Sequence, residues 1–245
     1  MKLTIDAGNS RVKWRLTDKG AKIAQGAQPT SEVIEKAALS LSGVNEVEEA
    51  RISCVAGQQV IEIIRTQLLN DFSVPIRIAQ VSKNMGSLTC GYDDKQSLGI
   101  DRWLAVAASY SHYQQAIMVV DAGSAITADI VGPEGQHLGG FILPGLRLMH
   151  DALWKNTTDV RVVGSGLEER WLPGKNTQQS VSRGCLLAVS AAIEALAAQY
   201  PVRIILTGGD AKILKKAINL DAECHANLVL DGLLLDSISF DSVAE

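Results

Sequence analysis

The 245-residue chain sets 23 Lys and Arg against 27 Asp and Glu, a net charge of −4, with 47 % apolar and 20 % charged residues. That is the balance of a globular protein, and with no block of basic residues it argues against a nucleic-acid or anionic-membrane surface. At this length a fold hides roughly 70–75 % of the unfolded surface, so neither disulfide nor metal is needed for stability. Cys54, Cys90, Cys185 and Cys224 are scattered without a CxxC pair and read as reduced, small apolar residues. The opening "MKLTIDAGNSR" has no apolar stretch of the length a signal peptide needs, and no run reaches the about 18 apolar residues of a membrane span. A soluble cytoplasmic protein with no nucleic-acid and no membrane partner is expected.

"KLTID" and "VKWRLTD" flank Gly-Asn-Ser, which predicts a β-hairpin. "TSEVIEKAALSLS" predicts a helix capped by Thr30 or Ser31, with Ile34, Ala37, Ala38 and Leu41 on one face. A strand "ARISCVA", a helix "QVIEIIRTQLLNDF" and a strand "PIRIAQV" follow. Residues 82–98 are irregular and polar, and "LGIDRWLAVAASYSHY" is a helix. The pattern then restarts. "AIMVVD" and "ITADIV" make a second hairpin, "GPEG" a turn, "HLGGFIL" a strand and "GLRLMHDALWK" a helix. After a loop-rich stretch over 160–175, "TQQSVSRGCLLAVSAAIEALAAQY" is a long helix, apolar on two sides and expected between layers. "VRIILTGGDA" is a strand running into Gly-Gly, with Asp210 capping the helix "AKILKKAINL". The tail "LVLDGLLLDSISF" suggests a short strand and a final helix.

Each half thus opens on a hairpin with Asp-Ala-Gly at its turn, "TIDAGNSRVKW" at 4–14 and "VVDAGSAITAD" at 119–129. The reading is an internal duplication with its boundary near 113–116 and no Pro- or Gly-rich linker there. An Asp at a strand end can hold a cation or its waters. The Gly lets a bulky anion approach the backbone, and the turn N–H groups form an anion-binding concavity. A single Asp-Ala-Gly is better explained as a plain turn; two copies in equivalent places favour a pair of phosphate-binding hairpins. Lys13 stands within reach of a phosphate on the first turn, although alone it would read as a solvated strand lysine. Neither GxxxxGK[ST] nor GxGxxG occurs.

"TGGDA" at 207–211 brings two glycines from a strand to a helix start, which suits a ring or ribose against the backbone and equally suits a plain tight turn. In "LGIDRW" at 98–103, Asp101 can accept a proton from a hydroxyl and Arg102 can fix a carboxylate or phosphate. The same pair also reads as a dipole-favoured carboxylate beside a surface arginine. His112, His137, His150 and His225 show no metal-ligand spacing, and no Cys/His nucleophile pair is present.

In this order, "DAGNSRVKW", "LGIDRW", "DAGSAITAD", "GGFILPG" and "TGGDA" resemble the acetate-and-sugar-kinase/Hsp70/actin superfamily, and within it type III pantothenate kinase. The resemblance runs from Asp6 to "LVLDGL" near the C-terminus. It implies an α/β fold of two duplicated ribonuclease H-like (actin-like ATPase) domains, 1–114 and 115–245, with mixed sheets flanked by helices. The implied activity is ATP-dependent phosphorylation of pantothenate to 4'-phosphopantothenate, the first step of coenzyme A biosynthesis. Asp6, Ala7, Gly8, Asn9, Ser10, Arg11, Val12 and Lys13 are implied to bind ATP phosphates, with Asp6 organising Mg²⁺, and Ser124 to contact ATP. By the same resemblance Asp121 belongs to a K⁺ or NH₄⁺ site and Asp101 is the base. Tyr92, Gly99, Ile100 and Arg102 line the pantothenate pocket. Thr177 is implied to complete that pocket from the second subunit of a homodimer, with Ser180 one turn on as an alternative. Where the family carries Y-x-x-P-x-x-L-G, this chain has "YDDKQSLG", with Lys95 in the proline's place and φ less restricted.

Two other readings stand beside this one. A kinase of the same fold can act on another small hydroxyl acceptor. An accessory factor for transcription is the other, against which stand the pI of about 5.6, the lack of a basic recognition helix and Asp101 itself.

Overall fold

Leu3, Ile5 and Ala7 lie on one face of the opening strand and Thr4 and Asp6 on the other, yet all five are buried. Such a strand must be central, with both faces covered. In the computed structural model, which describes residues 1–155 and 171–242, it is β1 (Lys2–Ala7), followed by β2 (Arg11–Asp18) and β3 (Ala21–Pro29). Next come α1 (Thr30–Lys36), β4 (Glu49–Cys54), α2 (Gln58–Phe72), β5 (Ile76–Gln80), the two-residue strands β6 (Asn84–Met85) and β7 (Leu88–Thr89), and α3 (Ile100–Tyr113). The second half has β8 (Ile117–Ala122), β9 (Ala125–Val131), β10 (His137–Pro144), α4 (Leu146–Lys155), α5 (Thr177–Gln199), β11 (Arg203–Thr207), α6 (Ala211–Ala217) and β12 (Ala222–Cys224). A short α7 (Leu228–Gly232) and β13 (Ser239–Ser242) close the chain.

Two compact units result, Met1–Ala108 with Leu228–Glu245, and Ser109–Asn227. The first holds a sheet in the order β13-β5-β4-β1-β2-β3, the second a sheet in the order β10-β9-β8-β11-β12. In the first, β1, β4 and β5 run parallel while β2 and β3 continue antiparallel from β1. In the second, β8, β11 and β12 run parallel while β9 and β10 continue antiparallel from β8. Without β13 the two sheets therefore have the same order and directions, which is the duplication written in topology.

Each unit has its own core. Leu3, Ile5, Val12, Leu16, Ile52, Ile64 and Leu68 belong to the first. Met118, Val120, Ile126, Leu186, Val189, Ile204 and Leu206 belong to the second. α5 is, by length and composition, the one helix among the described residues apolar enough to cross a membrane. It nevertheless sends Cys185, Leu186, Val189 and Ile193 into the second core. Only a third of its most apolar window is buried (33 %), so it is covered on one face rather than between layers.

The structure departs from the sequence reading at several further places. α1 ends at Ala37, whose φ of 48° is left-handed. The next residues are drawn out of the helix because Gln67 bonds both Leu39 N (2.8 Å) and Leu39 O (3.0 Å), seating Leu39 in the core. The helical face expected of Ala37, Ala38 and Leu41 is therefore not built, and Ile34 is exposed. β3 and β12 were not foreseen: β3 is mostly exposed and shows no apolar alternation. The tail has the reverse of the expected order, helix before strand, and β13 pairs with β5 of the first sheet. The stretch Leu228–Glu245 therefore joins the first unit, and the contact boundary falls after Ala108 rather than at 114. Most of the loop-rich stretch at 160–175 lies outside the described residues.

Candidate active site

The two Asp-Ala-Gly turns are built the same way. In the first, Gly8 N donates to Arg11 O (3.1 Å), Thr30 N to Ser10 O (3.1 Å), and Val55 N to Ala7 O (3.0 Å). In the second, Gly123 N donates to Ala125 O (3.0 Å), Gly145 N to Ser124 O (3.1 Å), and Asp210 N to Ala122 O (3.0 Å). Each hairpin is thus closed on itself and then clamped from two sides, by the start of the helix after its third strand and by the loop after its fourth. The first turn is one residue longer, since Ala7 pairs with Val12 whereas Ala122 pairs with Ile126. Its extra room is filled by Thr30, whose buried Oγ1 donates to Gly8 O at 2.7 Å rather than capping α1. At the tighter second turn Gly145 is required: a Cβ there would stand 2.4 Å from Ser124 O. Gly208 is required too, with φ of +91° and a Cβ position 2.4 Å from Asp121 Oδ1.

Around the first turn, Asp6 is buried at the end of β1, opposite Lys13 on β2 and Ser53 on β4. Ala7 and Val12 are buried, Lys13 is half-buried, and Asn9, Ser10 and Arg11 are exposed. The backbone of this turn therefore faces solvent while its carboxylate is held below. Among the described residues no group of three or more His, Cys, Asp or Glu side chains is placed to hold a metal ion. A single carboxylate suits a cation that keeps most of its waters and takes the rest of its ligands from phosphate oxygens, as Mg²⁺ does. Asp6 fits that description, with the buried Ser53 Oγ, which has no hydrogen-bond partner, beside it in the sheet.

The loop that clamps the first turn also reaches the predicted acceptor pocket. A cavity of about 470 Å³ is lined by Cys54 and Val55 from the end of β4, Gln58 and Ile61 of α2, Gln80 at the end of β5, and Gly99 and Ile100 at the start of α3. It lies at the carboxyl ends of parallel strands, where open α/β sheets bind ligands. Asp101 and Arg102 follow in the first turn of α3. Asp101 is half-buried and its Oδ1 accepts from Arg102 N at 2.9 Å. Arg102 is 9 % exposed and donates Nη1 to Tyr92 Oη at 2.9 Å, its guanidinium 5.6 Å from the ring centre. A Cβ at Gly99 would stand 2.6 Å from Asp101 Oδ1, so the glycine makes room for that carboxylate. Lys95 opens a single 3-10 turn, and Asp94 fixes it by accepting from Gln96 N (3.0 Å) through its side chain and from Ser97 Oγ (2.7 Å) through its backbone. Asp94 thereby supplies the restraint that a proline would give. Burial raises the Cys54 thiol, with the charge of Asp6 adding to it, so Cys54 is a pocket wall and not a nucleophile.

In the second unit, Asp121 ends β8 half-buried, opposite the neutral Thr127 and Thr207, and Ser124 is exposed on its turn. Thr177 is the first residue of α5 and is exposed, with Asn176 capping through its side chain to Gln179 N at 2.8 Å. Ser180 binds back to Asn176 O at 2.9 Å. The sequence reading missed Thr30, Gly145 and the loop at 55–57, because what marks them is contact with a distant turn and not any local pattern. Asp210 was expected to cap α6, yet its side chain makes no cap bond. His137 is buried against Asp129 at 3.0 Å, and His225 meets Tyr113 Oη at 2.8 Å.

The model of the type III pantothenate kinase family matches residues 2–199. A type III pantothenate kinase of Ectopseudomonas mendocina is 38 % identical over 96 % of this chain and 98 % of its own length. Those of Teredinibacter turnerae and Pseudomonas aeruginosa are 34 % and 32 % identical at the same coverage. Among solved structures, a Campylobacter jejuni protein assigned to the Baf family of transcriptional activators superposes with a TM-score of 0.61 at 24 % identity, covering 94 % of each chain. A ROK family glucokinase of Streptomyces griseus, with glucose and AMPPNP, gives 0.50 at 9 % identity, covering 95 % of this chain and 97 % of its own. At such identities the structures speak to the fold alone: the actin-like ATPase and sugar-kinase fold.

Asp210 gives a test of the second turn. Burial raises its pKa above the ordinary carboxylate value, and Arg147 only partly opposes this. A raised folded-state value means that the folded protein holds this proton more tightly than the unfolded chain. The resulting stability is present at pH below the unfolded pKa and is lost as pH rises through the folded one. Asp210→Asn is therefore expected to raise the urea midpoint at pH 7 and to leave it unchanged near pH 3. Equal midpoints for the two proteins at pH 7 would overturn this account.

Proposed function

The chain belongs to the type III pantothenate kinase family, and we propose that it transfers the γ-phosphoryl group of ATP to the primary hydroxyl of pantothenate with Asp101 as the base. One observation carries the reading. A half-buried carboxylate and a guanidinium locked by Tyr92 stand on consecutive residues of one helix start, beside a cavity of about 470 Å³ lined by Gly99 and Ile100. The hydroxyl proton passes to Asp101, the hydroxyl oxygen bonds to the γ-phosphorus, and the bond to the β–γ bridging oxygen breaks as ADP leaves. Such transfers need positioning and charge neutralisation rather than covalent help. Arg102 and Tyr92 hold the acceptor's carboxylate, Arg102 by a charge-assisted bond. The turn Gly8–Arg11, with Lys13, holds ATP phosphates, and Ser124 adds a contact from the second turn. Mg²⁺, when bound at Asp6, neutralises phosphate charge. The four free cysteines are in keeping with a reducing cytoplasm.

Asp101→Asn is expected to lower kcat by about 10²–10⁴ while nucleotide binding and the far-UV circular dichroism spectrum stay as in the parent. Near-normal turnover in the Asn variant would end the assignment of Asp101 as base.

We further read Asp121 as part of a K⁺ or NH₄⁺ site, because its sheet neighbours Thr127 and Thr207 bring hydroxyl oxygens beside its carboxylate. Rates measured in K⁺, NH₄⁺ and Na⁺ at equal ionic strength should be several-fold lower in Na⁺, and Asp121→Asn should erase the difference. Identical parental rates in all three salts count against the site.

Thr177, exposed at the start of a 23-residue helix, is read as reaching the acceptor pocket of a second copy in a homodimer. Once Thr177→Ala is shown to be impaired by itself, mixing it with Asp101→Asn should restore part of the activity, because one pocket of each mixed dimer then carries neither defect. Mixed dimers without recovered activity would refute the shared pocket and leave the kinase reading standing.

A further inference from the structure

The C-terminal return packs directly against the backbone of α3. A Cβ placed at Gly232 would stand 2.4 Å from Leu104 O and 2.9 Å from Leu104 Cβ, so the end of α7 lies on the backbone of α3. The return is anchored on its other side as well. The buried Arg51 of β4 donates Nη1 to Leu233 O at 3.0 Å, pairs through Nε with Glu49 Oε2 at 3.1 Å, and lies 5.1 Å under the ring of Phe240. Arg15 of β2 pairs with Asp231 at 2.7 Å. Beyond α7, β13 adds a ladder to β5. Leu228, Leu230 and Leu233 are buried. One short segment therefore ties α3 to the strands whose ends carry Asp6 and the cavity wall.

Leu104 lies three residues after Asp101 on the same helix, a rise of about 4.5 Å. A helix moves as a body over that distance, and Trp103 and Leu104 are both fully buried. A displacement imposed at Leu104 is therefore delivered to Asp101 and Arg102. We propose that Gly232 is a positioning residue for the phosphoryl transfer: its missing side chain sets how closely α3 seats on the C-terminal return, and so where the Asp101 carboxylate stands. This rests on the reading of Asp101 as the base.

A methyl group at Gly232 forces a shift of the order of 1 Å, and misplacement by that much costs about 100-fold in rate. The experiment compares the full-length parent with Gly232→Ala, Arg51→Lys and Asp101→Asn. Pantothenate phosphorylation is followed well below each melting midpoint and normalised to the folded fraction from near-UV circular dichroism. Gly232→Ala is expected to lose about 10- to 100-fold in kcat with KM for ATP within about threefold of the parent, as for an interaction felt mainly in the transition state. A kcat within twofold of the parent, whatever the change in melting midpoint, overturns the proposal by showing a role in stability alone. So does a loss shared equally with KM for ATP. Should Gly232→Ala not fold, Arg51→Lys is judged by the same criteria. It keeps the charge but not the fork that reaches both Glu49 and Leu233 O, and a several-fold fall in kcat at unchanged KM for ATP is expected. Asp101→Asn separates the two ideas. Full activity there ends the base reading. An inactive Asp101→Asn beside a fully active Gly232→Ala ends the positioning role alone.

Discussion

Both halves of the molecule are organised by one constraint: an Asp-Ala-Gly turn whose carbonyls are taken from two sides by backbone N–H groups of distant segments. Ala7 O and Ser10 O receive Val55 N and Thr30 N; Ala122 O and Ser124 O receive Asp210 N and Gly145 N. A turn at a strand end exposes backbone groups that must be satisfied. Here the carbonyls are satisfied from outside, while Gly8 N and Gly123 N close each hairpin on itself. The clamps also fix which segments must lie beside the turn, namely the start of the helix after the third strand and the loop after the fourth. In the first unit that loop runs on into the cavity wall at Cys54 and Val55. The cavity is thus placed relative to the first turn by two backbone hydrogen bonds, from Val55 and Ala56 to Ala7 O.

What the sequence made legible follows the same physics. β1, β8 and their hairpin partners were readable because strands buried on both faces are written as β-branched apolar runs. The stretch "GIDR" stood out because its charged pair is contiguous and opens a helix. β3 and β12 complete the repeat in their sheets, but β3 is mostly exposed and β12 is three residues long, so neither had an apolar period to betray it. β13 failed for another reason. Ser239 to Ser242 become a strand by pairing with β5, 159 positions earlier at the Ser239–Gln80 pair, and no local pattern reports a partner that remote. The family resemblance supplied roles for Tyr92 and Thr177 that the residues alone could not, since each is one polar side chain in a polar stretch.

The departure at Lys95 shows how a fold replaces one restraint by another. A proline narrows φ in the unfolded chain as well as the folded one. This chain instead places Asp94 before a single 3-10 turn and closes it with two hydrogen bonds. Beyond the turn, the Arg102 guanidinium holds Tyr92 by both its hydroxyl and its ring. The loop is therefore tied both at the residue before Lys95 and at Tyr92.

The two turns share a plan but not a surface, and the difference argues for a division of labour. The first has one residue more, a threonine propping it from below, exposed Asn9, Ser10 and Arg11, and Lys13 across from its carboxylate. It can meet a highly charged group with both N–H donors and a cation. The second is tighter, and Gly145 and Gly208 bring backbone so near that no side chain fits. Its carboxylate faces threonines rather than lysine. Duplication thus supplied two equivalent scaffolds, and one inserted residue with one lysine beside the first carboxylate made their surfaces different.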